Sequence, residues 1–262
     1  MRIFISCYFV LLLSFFFIPE VTVSPVVQHV SAVQPEPEEI EVIQPTDEGE
    51  KIEKVKAASV LLDVPIIKQM PELYNGCEVT SLSMLLHYSE IPVDKLELAE
   101  KVKKDPTPFK GSSLRSISEW GDPNEGFVGD ITGKRKGYGV YHGPLFELLE
   151  EYAKDQAVDL TGEEFTAIEW ALTNGKPVVI WTTAHFSPTE EWVTWKKNGR
   201  TIRATFKEHV VLLVGYDDQF VYLNDPLSGN KAMKVERNAF IESWKQMGSQ
   251  AVTMMDNKDP FL

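Results

Sequence analysis

Two cysteines occur in the 262 residues, and their positions limit what the chain can fold into. Cys7 lies within an apolar run from Ile3 to Pro19, directly behind Met1-Arg2. A short, positively led apolar stretch at the start of a chain has the layout of a secretory signal peptide. Its length is at the lower end of the roughly 17–25 residues that span a bilayer, so an uncleaved anchor is the alternative. After export and cleavage Cys77 is the one remaining thiol, and a single thiol forms no intramolecular disulfide. Stability then has to come from a hydrophobic core, and Cys77 is either a buried apolar filler or a reactive nucleophile.

The composition supplies such a core: 43% of the residues are hydrophobic and 25% charged. That balance excludes wholesale disorder, a collagen-like fibre and a disulfide-knotted miniprotein. The net charge of −13 carries no basic stripe to neutralise phosphates, which argues against nucleic acid as a partner. Between Ser24 and Ser59 the prolines Pro25, Pro35, Pro37 and Pro45 stand among acidic residues with no aromatic side chain. Such a segment buries too little apolar surface to offset its ordering entropy. The expected organisation is a signal peptide or N-terminal anchor over 1–23, an acidic linker over 24–59 and a folded domain over 60–262. The body is placed outside the cytoplasm, secreted or held at a membrane by the N-terminal segment.

Asn75-Gly76 forms a turn, and from Cys77 the apolar residues Val79, Leu82, Leu85 and Leu86 recur at three and four residues. The pattern predicts a helix with Cys77 at its start. The unpaired N–H groups of a first turn and the positive end of the macrodipole favour a thiolate. Asn75-Gly76 is expected to let a substrate approach closely, where a Cβ would obstruct it. A thiol nucleophile also needs a base, and the chain has five histidines. His29 falls in the linker, and His87 lies along the same helix, about 15 Å from Cys77 at 1.5 Å per residue. His142, His185 and His209 remain.

His209 is favoured because its strand, His209 to Tyr216, leads through Asp217-Asp218-Gln219 into a second strand ending at Asn224-Asp225-Pro226. A three-residue loop pairs Tyr216 with Phe220 and Val211 with Asp225, which sets Asp225 diagonally beside His209 and turns Asn224 the other way. The hairpin then holds a base and its orienting carboxylate in register. His185, after the strand Val178 to Trp181, is the reserve base.

The blocks Gln69-Met70-Pro71-Glu72-Leu73-Tyr74-Asn75-Gly76-Cys77-Glu78, His209 to Tyr216, and Asn224-Asp225-Pro226 together resemble one family. It is the set of secreted relatives of the bacteriocin-processing, double-glycine-leader cysteine peptidases, within the papain-like superfamily. The Cys77-to-His209 separation of 132 residues is in the range of about 130–150 expected of papain-type enzymes. The resemblance implies a helical N-terminal lobe with the nucleophile at a helix start and a C-terminal antiparallel sheet carrying the base. It also implies that Gln69, with the Cys77 backbone N–H, stabilises the oxyanion.

The remaining pattern is α+β: helices over 93–102, 143–153, 163–173 and 237–247, and strands over 177–182, 191–196 and 201–206 before the His209 hairpin. Trp120, Tyr138, Tyr141, Trp181, Trp192 and Trp195 are read mainly as packing residues. Asp122, Asp130, Asp217 and Asp218 fall in no calcium loop, and no metal, cofactor or nucleotide motif is present. The expected function is a cysteine peptidase-like hydrolase with Cys77 as nucleophile, His209 as base, Asp225 as orienter and Gln69 as oxyanion donor. The expected partner is a peptide or protein substrate, cell-wall peptide included. Two alternatives stay open: a cell-wall amidase or acyltransferase using the same triad, and a catalytically silent cell-envelope binding domain.

Overall fold

Cys77 opens helix α1 (Cys77–Tyr88), in which every residue from Cys77 to Leu86 is buried. The sequence pattern suggested one apolar face, but the structure buries this helix on all sides. Its small polar residues make that possible, because each hydroxyl bonds a carbonyl oxygen. Thr80 donates to Gly76 at 2.7 Å, Ser81 to Val210 at 3.2 Å and Ser83 to Val93 at 2.6 Å. Fully burying side chains such as Leu82, Leu85 and Leu86 stabilises by about 1.5–3 kcal/mol each.

The computed structural model describes residues 57–256. The expected signal segment, Cys7, His29 and the linker up to residue 56 lie outside the described residues. From Ala57 onward the chain is tied to the body, since the Ala57 carbonyl accepts from the Tyr216 hydroxyl at 2.8 Å. Along the first half run β1 (Val60–Leu61), α1, α2 (Lys95–Lys101), β2 (Lys104–Asp105), β3 (Lys110–Ser113), β4 (Ser116–Glu119), β5 (Phe127–Val128) and α3 (His142–Ala153). The second half holds β6 (Ala157–Asp159), α4 (Phe165–Thr173), β7 (Val178–Thr183), β8 (Val193–Lys197), β9 (Arg200–Ala204) and β10 (Glu208–Tyr216). It closes with β11 (Phe220–Asp225), β12 (Asn230–Glu236), α5 (Arg237–Gln246) and β13 (Ala251–Met254). Among the described residues no helix is long and apolar enough to cross a membrane.

The main sheet has the order β12-β11-β10-β7-β13-β6, with β1 added to β10. Its pairings are antiparallel. Residues alternate along β10: Val210, Leu212 and Val214 join the core beneath α1 and α3, whereas Val211 and Leu213 join the core beneath α4 and α5. The fold is α+β, as expected, but α4 and α5 are interleaved with the sheet strands and cover its second face.

A smaller sheet, ordered β3-β4-β8-β9, packs Trp120, Trp195 and Ile202 against Tyr138. The buried Lys197 amine anchors it by bonding both Asp105 carboxylate oxygens, at 3.0 and 2.8 Å. The sequence pattern missed β3 and β4, whose lysine, glycine and serine residues are largely exposed.

Candidate active site

Gly76 precedes α1 with φ of −115°, a conformation open to any residue, so its need for glycine is steric. A Cβ there would stand 2.6 Å from the Leu73 Cβ. The close approach is therefore to the protein's own Leu73, which corrects the expectation that the glycine clears a path for substrate. The Cys77 loop is held from the other side by the Asn75 side chain, which donates to the Asp130 carbonyl at 2.7 Å.

His209 is the second residue of β10, and its Nε2 lies 2.7 Å from Asp225 Oδ1 on β11. Both side chains are buried. A carboxylate only accepts, so Nε2 carries the hydrogen and Nδ1 is left with a lone pair. Burial pushes the Asp225 carboxyl up, but the hydrogen bond and charge of His209 outweigh it and, with N–H donors from its own turn, bring it down to about 2. Those donors are Leu227 at 2.9 Å to Oδ1 and Ser228 at 3.3 Å to Oδ2.

The register that brings the two together differs from expectation at the turn and matches it at the site. Tyr216 pairs with Val221 and Gly215 with Tyr222, one residue off the predicted pairing. A bulge between Leu213 and Gly215 then restores it, giving Leu213 opposite Leu223 and Leu212 opposite Asn224. Asn224 turns away and is fully buried, donating to the Val64 carbonyl at 3.1 Å and accepting from the Ala232 N–H at 2.9 Å.

Gln69, Cys77 and His209 line one cavity of 260 Å³, together with Tyr138, Phe206 and Glu208. Gln69 Nε2 donates to the Tyr74 carbonyl at 2.8 Å, which uses one of its two hydrogens and fixes the amide beside the cysteine loop. The Cys77 thiol does not bond His209 in this structure; Sγ donates to Glu78 Oε2 at 3.4 Å. Burial pushes the thiol well above its ordinary value, and the charges of Glu78 and Glu208 add to the shift against a smaller opposing pull from the Val210 N–H. This reverses the expectation that the helix start yields a ready thiolate: here desolvation and two carboxyls outweigh the macrodipole.

Glu78 is fully buried, and its Oε1 accepts from the Val140 N–H at 2.7 Å. Burial pushes its carboxyl up to about 7. Glu208, the residue before His209, is raised as well, by burial and then by the charge of Glu78. Cys77, Glu78 and Glu208 each place a ligand-type atom within 4.8 Å of the others. Sequence reasoning passed over both glutamates. The available signal was an acidic side chain at the second position of a helix otherwise built from apolar and small residues.

The other histidines lie elsewhere. His142 forms its own pair with Asp159, Nδ1 to Oδ2 at 2.7 Å, and faces a different cavity. His185 and His87 are exposed. Trp120, Trp181 and Trp195 are packing residues, while Tyr138 and Trp192 line cavities. Asp122, Asp130 and Asp217 accept N–H groups of their own loops, from Asn124, Thr132 and Gln219 respectively, each at 2.9 Å.

Residues 61–252 match the model of the Peptidase_C39 like family. The chain is 46% identical over 203 residues to YvpB of Bacillus subtilis (strain 168), an uncharacterized protein, covering 77% of this chain and 78% of that one. A crystal structure of a candidate C39-like peptidase from Bacillus anthracis superimposes with a TM-score of 0.69 at 45% identity, covering 77% of this chain and 99% of the other.

Proposed function

Because this chain belongs to the Peptidase_C39 like family, we propose that it is a cysteine peptidase acting outside the cytoplasm on a peptide bond of a polypeptide or cell-wall peptide. The observation that carries the reading is the His209–Asp225 hydrogen bond of 2.7 Å on the wall of the cavity that Cys77 also lines.

In the proposed reaction the Cys77 thiol turns from Glu78 toward His209 and passes its proton to Nδ1. The resulting thiolate forms a bond to the substrate carbonyl carbon, and the carbonyl π electrons move onto oxygen. The second Nε2 hydrogen of Gln69 and the Cys77 backbone N–H, free of any intrahelical partner at the first position of α1, stabilise that oxyanion. His209 then gives its proton to the departing amine as the C–N bond breaks. Water attacks the thioester that remains, with His209 as base again, and releases the acid and the thiol. Asp225 keeps Nε2 protonated and supports the imidazolium charge.

Incubating the protein with unfolded polypeptides and with cell-wall peptides, beside a Cys77→Ala variant, tests this. New amino termini that depend on Cys77 are the expected result, and the substrate panel that yields them separates peptidase from cell-wall amidase. One observation favours a silent binding domain instead: the thiol donates to Glu78 at 3.4 Å, with burial and the two carboxyls holding its pKa well above the ordinary value. No cleavage in either panel by a folded protein would establish that reading.

A further inference from the structure

Two carboxyl groups stand beside the Cys77 sulfur, Glu78 fully buried and Glu208 half-buried on the cavity wall, with no counter-ion among the described residues. Among the described residues no lysine or arginine pairs with Glu78 or Glu208, and Glu208 Oε1 is buried without a hydrogen-bond partner. Close by, Lys207 is turned to Glu191 at 3.2 Å and Asp225 to His209 at 2.7 Å. Tyr138 and Tyr141, from the loop across the cavity, bond each other through their hydroxyls at 2.9 Å. Strand β7, packed on α1, has no titratable side chain. Of the ionisable groups on α2 and α3, Lys95 pairs with Glu72, Lys101 with Glu97, Glu147 with Lys103 and His142 with Asp159. Two like charges this close in a desolvated site do not both ionise.

We propose that Glu78 and Glu208 hold one proton between them and act together as a positioning pair that keeps Cys77 a neutral thiol, donating to Glu78, until substrate turns it to His209. The proposal is argued from the placement of the three groups, whose sulfur and carboxyl oxygen atoms lie within 4.8 Å of one another. Glu78 Oε1 is fixed by the Val140 N–H, which leaves Oε2 to face the thiol at 3.4 Å. Glu208 is attached to the base's own strand, one residue from His209. Gly139 lies against both carboxyls, and a Cβ there would run into Glu78 Oε1. The proton count balances. When Cys77 turns away, the S–H bond breaks and an N–H bond forms on His209 Nδ1. Glu78, having lost its donor, accepts the hydrogen carried by Glu208, so the pair keeps its single negative charge throughout. That charge opposes the thiolate, and protonating the pair a second time removes the opposition.

The inference rests on Cys77 being the nucleophile, but its test reads the sulfur whether or not any peptide is cleaved. The rate of Cys77 alkylation by iodoacetamide is measured on the full chain from pH 5 to 9, for wild type and Glu78→Gln. The amide keeps an acceptor for Val140 and removes the charge. A drop of about one pKa unit in the thiol raises the rate at neutral pH roughly tenfold in the variant. The wild-type profile is shallower than a single titration, because acidification neutralises the pair while it protonates the thiol. A folded Glu78→Gln variant alkylated no faster than wild type would overturn the proposal. Should that variant not fold, infrared spectra of wild type and Glu208→Gln decide. The carbonyl stretch of a protonated carboxylic acid is expected at neutral pH in the first and weaker in the second, where Glu78 alone, raised to about 7, is only partly protonated, and its absence from wild type also overturns the proposal.

Discussion

His209 and Asp225 touch at 2.7 Å because a β-bulge near Gly215 cancels the one-residue shift introduced at the hairpin turn. The side-chain period of a strand is two, so without the bulge the carboxylate would face the opposite side of the sheet.

Replacing Asp225 by alanine leaves the imidazole buried without its acceptor and free to adopt the wrong tautomer. Turnover of a cleaved peptide is expected to fall by about 10²–10⁴-fold with KM little changed. An unmet buried donor also costs about 1–3 kcal/mol, seen as a lower thermal midpoint. A variant retaining half the wild-type turnover would remove Asp225 from the mechanism.

Gly215→Val tests the bulge itself. Leu61 pairs with Gly215, and a Cβ at that position would strike the Val60 carbonyl oxygen. Forcing strands apart in this way is expected to cost about 1–3 kcal/mol in denaturant titration. Activity should fall further than stability alone explains, because the register around Asp225 is disturbed. A fully stable, fully active variant would show that the bulge carries no positional information.

For Gln69→Ala the expected loss is about 10²-fold or more in kcat, with the alkylation rate of Cys77 unchanged, since an oxyanion donor acts after the thiolate forms. A parallel loss of alkylation would mean that Gln69 positions the cysteine loop through its bond to Tyr74.

Stability should peak in mild acid. Glu78 is raised from 4.5 to about 7, so its contribution is complete below 4.5 and is lost as pH rises through about 7. Asp225 is lowered from 3.8 to about 2, so its contribution is complete above 3.8 and is lost as pH falls toward 2. Thermal midpoints measured from pH 2 to 9 should therefore be highest near pH 4–5 and decline on both sides. In Glu78→Gln the decline on the alkaline side should shrink, and a wild-type midpoint that rises from pH 5 to 8 would contradict the assignment.

The parts of the site most legible in the sequence were those carried by strong local patterns. The apolar run from Val210 to Val214 marked β10, and Asn224-Asp225-Pro226 marked the end of its partner, so His209 and Asp225 could be paired from the chain alone. The turn length could not be read, because Asp217 caps the turn by accepting from both Gln219 and Phe220 N–H groups, a local choice that polar residues do not announce. Glu78 and Glu208 were not legible for a different reason. An acidic residue beside a helix start or a strand start is ordinarily solvated, and only the tertiary approach of α1 to β10 makes these two neighbours. Strand β12 escaped notice because its lysines and asparagine face solvent at the sheet edge.

Helix α1 is enclosed from Cys77 to Leu86, with every hydroxyl committed to a carbonyl. With that stretch held in place, the proposed turn of Cys77 from Glu78 to His209 needs only rotation about the side-chain torsion of the first helical residue. Such rotations are far quicker than loop or domain excursions. In the proposed reaction the scaffold stays still while the sulfur swings from an acid that would keep it dormant to an imidazole that would wake it.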